Sequence, residues 1–156
     1  MAVPAATLVE GAVTPAEIGG LLKSRSVARA GNPRELSDEV RRGLPASTVA
    51  ALRDSGYAID EIARVTANSV RTIQRYLLEK RRSERLNLAT SDRVVRLAAM
   101  TLLAARLVGT HEKALAWLRA PSRYLGGVTP LEMMETEVGT QAVVQSLYSI
   151  AYGGVA

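Results

Sequence analysis

The sequence predicts an all-α fold. Two observations carry this. Helix-boundary signals recur throughout the 156 residues, and runs with strand periodicity are nearly absent. Thr14-Pro15-Ala16-Glu17 and Thr129-Pro130-Leu131-Glu132 both have the form of a capping box. In that arrangement Thr accepts from the N3 amide, Pro occupies N1 and Glu reaches back to the cap. Ser91, Thr110 and Thr140 each precede an apolar-periodic run and suit N-caps. Gly56, Gly109, Gly139 and Gly153 follow such runs, where a left-handed residue ends a helix.

Taken in order, these signals place helices at 36–42, 46–55, 59–66, 70–82, 91–108, 111–119, 130–137 and 141–151. Residues 1–35 are rich in Ala, Gly and Pro, with room for one short helix after Pro15, and "RAGNPRE" reads as a linker. The division expected is an N-terminal arm at 1–42, partly flexible, a helix-turn-helix and dimerisation region at 43–109, and a C-terminal unit at 110–156.

Cysteine is absent, so the fold uses no disulfide, which suits a reducing cytoplasm. Nothing upstream of Lys23, the first basic residue, reads as a secretory apolar core. The most apolar stretch, "LAAMTLLAARLV" at 97–108, contains Arg106 and is too short to span a bilayer. A buried helix is expected there, and no membrane partner.

The net charge of +5 is unevenly placed. Residues 1–110 hold 17 Lys and Arg against 11 acids, whereas residues 111–156 hold 3 against 4. "RTIQRYLLEKRRSER" at 71–85 carries six basic residues and two acids. A polyanion partner follows for the first part of the chain. The same stretch closes a helix-turn-helix pattern, "AIDEIARVTANSVRTIQRYLLEK". Ile59, Ile62 and Ala63 share one face of the first helix; Val70, Ile73 and Leu77 share one face of the second. Ser69 caps the second helix and leaves Arg71, Thr72, Gln74 and Arg75 in its first turns, where base edges are read in a major groove. Lys80, Arg81 and Arg82 follow, suited to phosphates. Ala67 and Asn68 stand at the turn, where glycine is common.

Catalysis is not expected. His111 is the only histidine and has no evident partner. Metal chemistry lacks its ligand set, because Glu132 of "EMMETE" already belongs to a capping box and no second set stands nearby. No Gly-rich phosphate loop is present, so no cofactor is expected. The punctuated segment "YLGGVTPLEMMETEVG" at 124–139 therefore specifies fold: Gly126 and Gly127 turn the chain, and Leu131, Met134 and Met133 pack inward with Trp117.

The segment 113–156 resembles the toxin-binding domain of the Xre/MbcA/ParS antitoxins, through Ala116-Trp117-Leu118, Pro121, Leu125-Gly126-Gly127, Pro130-Leu131, Thr136, Gly139 and the ending "LYSIAYGGVA". Upstream, "GLPASTVAALRDSGYAIDEIARVTANSVRTIQRYL" at 43–77 and "SDRVVRLAAMTLLAARLVGTHEKALAWL" at 91–118 resemble that family's helix-turn-helix part. The chain departs at Ser122, where Asn is frequent, and at Ser149 and Ala151, where charged residues are frequent. The resemblance implies a helix-turn-helix bundle followed by a small helical toxin-binding domain. It implies a type II antitoxin that neutralises a RES-domain, NAD-targeting toxin by covering its active site. Operator DNA is the second implied partner, for autoregulation. The implied inhibitory elements are the last helix and tail: Tyr148, Tyr152, Gly153, Gly154, Val155 and Ala156. A homodimer is expected, since two half-sites match a two-fold protein; a higher assembly with toxin stays open. The alternatives are a stand-alone helix-turn-helix regulator and an interaction module that no longer touches DNA.

Overall fold

A computed structural model describes residues 13–153. Ten α-helices follow one another: α1 Pro15–Leu22, α2 Arg25–Ala28, α3 Pro33–Arg42, α4 Ser47–Asp54, α5 Ile59–Thr66, α6 Val70–Tyr76, α7 Leu88–Val108, α8 His111–Arg119, α9 Pro130–Met133 and α10 Glu137–Ala151. Two 3₁₀ turns lie at Glu79–Arg81 and Arg123–Leu125. Among the described residues there is no strand, only an isolated bridge between Pro45 and Arg85.

Helix α7 is the axis. Its apolar residues run around the whole helix, and Val94, Leu97, Ala98, Met100, Leu103 and Ala104 are all sealed from solvent. A helix apolar on every side must be wrapped. Helices α1, α3, α4, α5, α8 and α10 each pack against it. Its buried hydroxyls are satisfied within the fold. Thr101 donates to the Leu97 carbonyl at 2.7 Å and meets the Tyr57 hydroxyl at 2.5 Å. Burial pushes the Tyr57 phenol above its ordinary range. No single helix among the described residues is long and apolar enough to cross a membrane.

The N-terminal part differs from the sequence expectation. Residues 1–12 lie outside the described residues. Residues 13–42 form three helices where one short helix, a linker and a helix at 36–42 are expected. The capping box at Thr14 and Glu17 starts α1. Within "RAGNPRE", Asn32 accepts from the Glu35 amide at 2.9 Å and Pro33 opens α3, so a helix begins where a linker is expected. Val13, Ile18, Leu22, Val27, Leu36 and Val40 are buried in the common core. Arg25–Ala28, with four residues, is too short for periodicity to reveal it.

Two expected caps lie one turn too late. Asn87, not Ser91, caps α7, accepting from the Thr90 amide at 2.8 Å. Ser91 is buried inside the helix, and its Oγ accepts from the Leu44 amide at 2.9 Å. Thr136, not Thr140, caps α10, accepting from the Gly139 amide at 3.0 Å. Thr140 lies inside the helix and donates to the Thr136 carbonyl at 2.8 Å. Gly139 does not end a helix. It sits in the first turn of α10, where a Cβ would stand 1.8 Å from the Met133 carbonyl oxygen, so glycine permits the close approach of α9.

The helix expected at 70–82 breaks after Tyr76. Leu78 turns extended, and the chain folds back along residues 44–47. There the Ala46 amide donates to the Glu84 carbonyl at 2.7 Å, the Ser47 amide to Arg82 at 3.0 Å, and the Leu86 amide to Leu44 at 2.8 Å. Ala46 offers α4 no side-chain cap, and this return segment supplies carbonyl acceptors in its place.

If α1 is part of the core, Ile18→Ala destabilises the whole protein. The expected loss is about 2–5 kcal/mol, read from the midpoint of a single cooperative denaturant transition.

Candidate functional site

The helix-turn-helix is α5 and α6. Helix α5 starts with half a capping box: Glu61 Oε1 accepts from the Ala58 amide at 2.9 Å, while Ala58 itself offers no side-chain acceptor. Ile62, Ala63 and Val65 are buried beneath it. The turn is left-handed at Ala67, with φ 57° and ψ 39°, a position that favours glycine and costs an alanine about 1–2 kcal/mol. Asn68 holds it in place. Its amide donates to the Ala63 carbonyl at 2.9 Å, and its Nδ2 donates to Thr66 O at 3.1 Å and Thr90 Oγ1 at 3.0 Å. The turn is thereby tied to the first turn of α7.

Ser69 caps α6 as expected, accepting from the Thr72 amide at 3.0 Å and donating to Thr72 Oγ1 at 2.9 Å. Ile73 and Tyr76 face the core. Val70, expected on that face, is exposed at N1, and Tyr76 fills the buried position instead. Arg71, Gln74 and Arg75 project outward, whereas Thr72 is half-buried and engaged with Ser69. Lys80, Arg81 and Arg82 are exposed on the 3₁₀ turn and just after it, not on an extension of α6. Several of these cations already face acids. Arg75 lies 4.0 Å from Glu84 and 5.2 Å above the Tyr76 ring; Arg81 lies 3.2 Å from Glu84, and Arg82 2.9 Å from Glu79.

The C-terminal part begins with a turn. Gly126 and Gly127, at φ 75° and 89°, let the Gly127 amide donate to the Ser122 carbonyl at 2.8 Å, and the Ser122 amide to Val128 at 2.9 Å. The capping box expected at Thr129 and Glu132 is formed, with bonds of 3.1 and 2.9 Å. Leu131 and Met134 are buried as expected; Met133 and Trp117 are half-buried against the core. Arg96 of α7 clamps the start of α10 through Glu137 at 3.0 Å, with Asp92 at 2.5 Å on its other side. Val143, Val144 and Leu147 anchor α10 in the core. At its far end Tyr148 and Tyr152 stack at 5.7 Å with rings 10° apart, and Tyr152 is 75% exposed. Val138 and Ile150 are also exposed. Gly153 follows with φ 68°; Gly154, Val155 and Ala156 lie outside the described residues.

The two parts are interlocked by residues the sequence reading does not single out. Arg119, at the end of α8, binds Glu61 of α5 through Nε and Nη2, both at 2.8 Å. Its Nη2 also donates to the Gly56 carbonyl at 2.6 Å, and its guanidinium lies 5.9 Å from the Tyr57 ring centre. Beside it, Arg64 faces Glu132 at 3.8 Å and Glu135 at 3.6 Å. A polar cleft of about 320 Å³ lies between these pairs. The hydrogen bonds from Arg119 hold the Glu61 carboxyl below its ordinary value of 4.5, against the opposing effect of burial. His111 is bonded too, with Nε2 2.5 Å from the Ser55 carbonyl oxygen, so this nitrogen carries the proton and donates. Among the described residues no group of three or more His, Cys, Asp or Glu is placed to hold a metal.

Two regions of the chain match known families. Residues 35–99 match the antitoxin Xre-like helix-turn-helix domain, which holds α5 and α6. Residues 103–153 match the antitoxin Xre/MbcA/ParS C-terminal toxin-binding domain, which holds α8 to α10. The chain belongs to the Xre/MbcA/ParS antitoxin family. It is 29% identical over 119 residues to Antitoxin Xre of Pseudomonas putida, covering 76% of this chain and 72% of that protein. The protein is thus an antitoxin of a toxin–antitoxin system, with a helix-turn-helix and a toxin-binding domain, and not an enzyme. In this antitoxin Arg119 joins the two domains.

A pH prediction follows from that joint. Because the folded Glu61 carboxyl titrates below 4.5, its stabilisation is present above that pH and is lost as pH falls through the lower folded value. Glu61→Gln removes the ion pair. At neutral pH the variant is expected to be less stable by about 1 kcal/mol, since the pair is partly exposed. As pH falls through the lower folded value the difference shrinks toward zero. Thermal melts of both proteins across that range check this; a gap that stays constant overturns it.

Proposed function

We propose that this antitoxin neutralises a RES-domain, NAD-targeting toxin by covering its active site with the C-terminal region. The observation that carries this is Tyr152, exposed at the end of α10 and stacked on the half-buried Tyr148. Tyr is a frequent interface anchor, and Ile150 of the same turn is exposed beside it in sequence. The match to a toxin-binding domain ends at residue 153, on this same feature. Gly153, Gly154, Val155 and Ala156 extend from it with small, uncharged side chains that suit a narrow cleft. That the toxin is of the RES type rests on the resemblance of 113–156.

The second role is autoregulation in the cytoplasm. Arg71, Gln74 and Arg75 read bases in an operator, and Lys80, Arg81 and Arg82 contact phosphates. Ser69 and Thr72 hold the start of the reading helix, with the Ser69 cap as support. A homodimer presents two such helices to a two-fold site.

Co-expression with the neighbouring gene product tests the first role, scored by growth and intracellular NAD. The full chain is expected to restore both. A chain ending at Ser149 is expected to fail, and Tyr152→Ala, which leaves the core intact, to weaken rescue. Full rescue by both variants would remove neutralisation from the end of α10. For the second role, Arg71→Ala is expected to cost about 1–3 kcal/mol of operator binding and much less on random duplex, measured by titration at fixed salt. An equal loss on both duplexes would make Arg71 a phosphate contact.

A further inference from the structure

We propose that Glu84 is a specificity-determining residue of the DNA-reading surface, acting as an internal stand-in for phosphate that holds Arg75 and Arg81 back from non-specific contact. This rests on the reading of α6 as the base-reading helix. Three observations carry it. Glu84 is fixed by its backbone, since its carbonyl accepts from the Ala46 amide at 2.7 Å and its amide donates to the Arg81 carbonyl at 2.9 Å. From that anchored position its carboxylate faces two cations, Arg81 Nη1 at 3.2 Å through Oε2 and Arg75 Nη2 at 4.0 Å through Oε1. Arg75 is held from a second side by the Tyr76 ring, 5.2 Å from its guanidinium carbon. Tyr76 is itself buried, so the guanidinium lies between two fixed groups.

A carboxylate near two guanidinium groups meets part of the demand that a DNA phosphate would otherwise meet. On random duplex, where attraction to phosphate supplies nearly all the affinity, this competition lowers binding. On the operator, an Arg75 already held on two sides loses less side-chain freedom in making a bidentate base contact, and this offsets the cost of leaving Glu84 there. Glu84 therefore widens the gap between operator and random sequence. Glu79 is the comparison. It faces Arg82 at 2.9 Å, carries the same charge and is much more exposed, but no contact to Arg75 or Arg81 is formed through its side chain.

The test compares wild type, Glu84→Gln and Glu79→Gln on two duplexes, the region upstream of the chain's own gene and a shuffled duplex of equal composition. Thermal melts accompany the titrations and confirm folding. Glu84→Gln is expected to bind the shuffled duplex about threefold to fivefold more tightly, the scale of a partly exposed ion pair. Its salt slope on that duplex should steepen by about 0.9 for each phosphate contact released. Its preference for the upstream duplex should fall, while Glu79→Gln moves both affinities together. If Glu84→Gln and Glu79→Gln leave the preference equally intact, the role of Glu84 is overturned. If wild type itself shows no preference for the upstream duplex, the base-reading role of α6 falls, and this inference falls with it.

Discussion

Everything in this protein is arranged around the burial of α7. The middle of this 21-residue helix, from Val94 to Ala104, carries Val, Leu, Ala and Met with almost no face to offer water, and its exposed residues, Leu88, Ala89, Asp92 and Arg106, stand toward its ends. Its side chains must therefore be covered from every direction, and the rest of the chain is that cover. Helices α1 and α3 come from the N-terminal side, α4 and α5 from the middle, α8 and α10 from the C-terminal side. Helix α6, the second of the helix-turn-helix, is held at second hand, by packing on α4 and α5 and by the Asn68–Thr90 bond to α7. Seven residues would not stay helical alone. Here Ile73 and Tyr76 are seated in the core, and the helix needs little stability of its own.

The features legible in the sequence are those made by neighbours in the chain. The caps at Thr14, Ser69, Thr110 and Thr129 each use a hydroxyl and an amide three residues apart, and all four form. Where two capping residues stand one turn apart, local chemistry does not choose between them. At Asn87 and Ser91, and again at Thr136 and Thr140, the upstream residue caps, because the downstream hydroxyl has a use inside the fold. The break in 70–82 is invisible for a related reason. The helical pattern continues, but the backbone is required 40 residues away, at the uncapped start of α4.

The interlock is the feature sequence reasoning had no means to find. Glu61 and Arg119 are 58 residues apart, and neither stands in a motif that singles it out. Exposed ion pairs contribute little on average. This one differs in geometry: the contact is bidentate, the same guanidinium bonds the Gly56 carbonyl, and an aromatic ring lies beneath it. The outward cations of α6 and of the turn after it are legible as a group, from charge density. Their pairing with Glu79 and Glu84 depends on where the chain reverses after Leu78.

The joint between Glu61 and Arg119 also limits how such proteins diversify by recombination. A crossover near Gly109 would unite the front half of one relative with the back half of another. The hybrid would inherit the pair only if the front parent carried a carboxylate at 61 and the back parent a guanidinium at 119. Without that match, Glu61 would face the cleft unpaired, and α8 would lose its grip on the Gly56 carbonyl. The seam between the helix-turn-helix and the toxin-binding domain is thus a poor place to cut, and the two halves are expected to be inherited as a block.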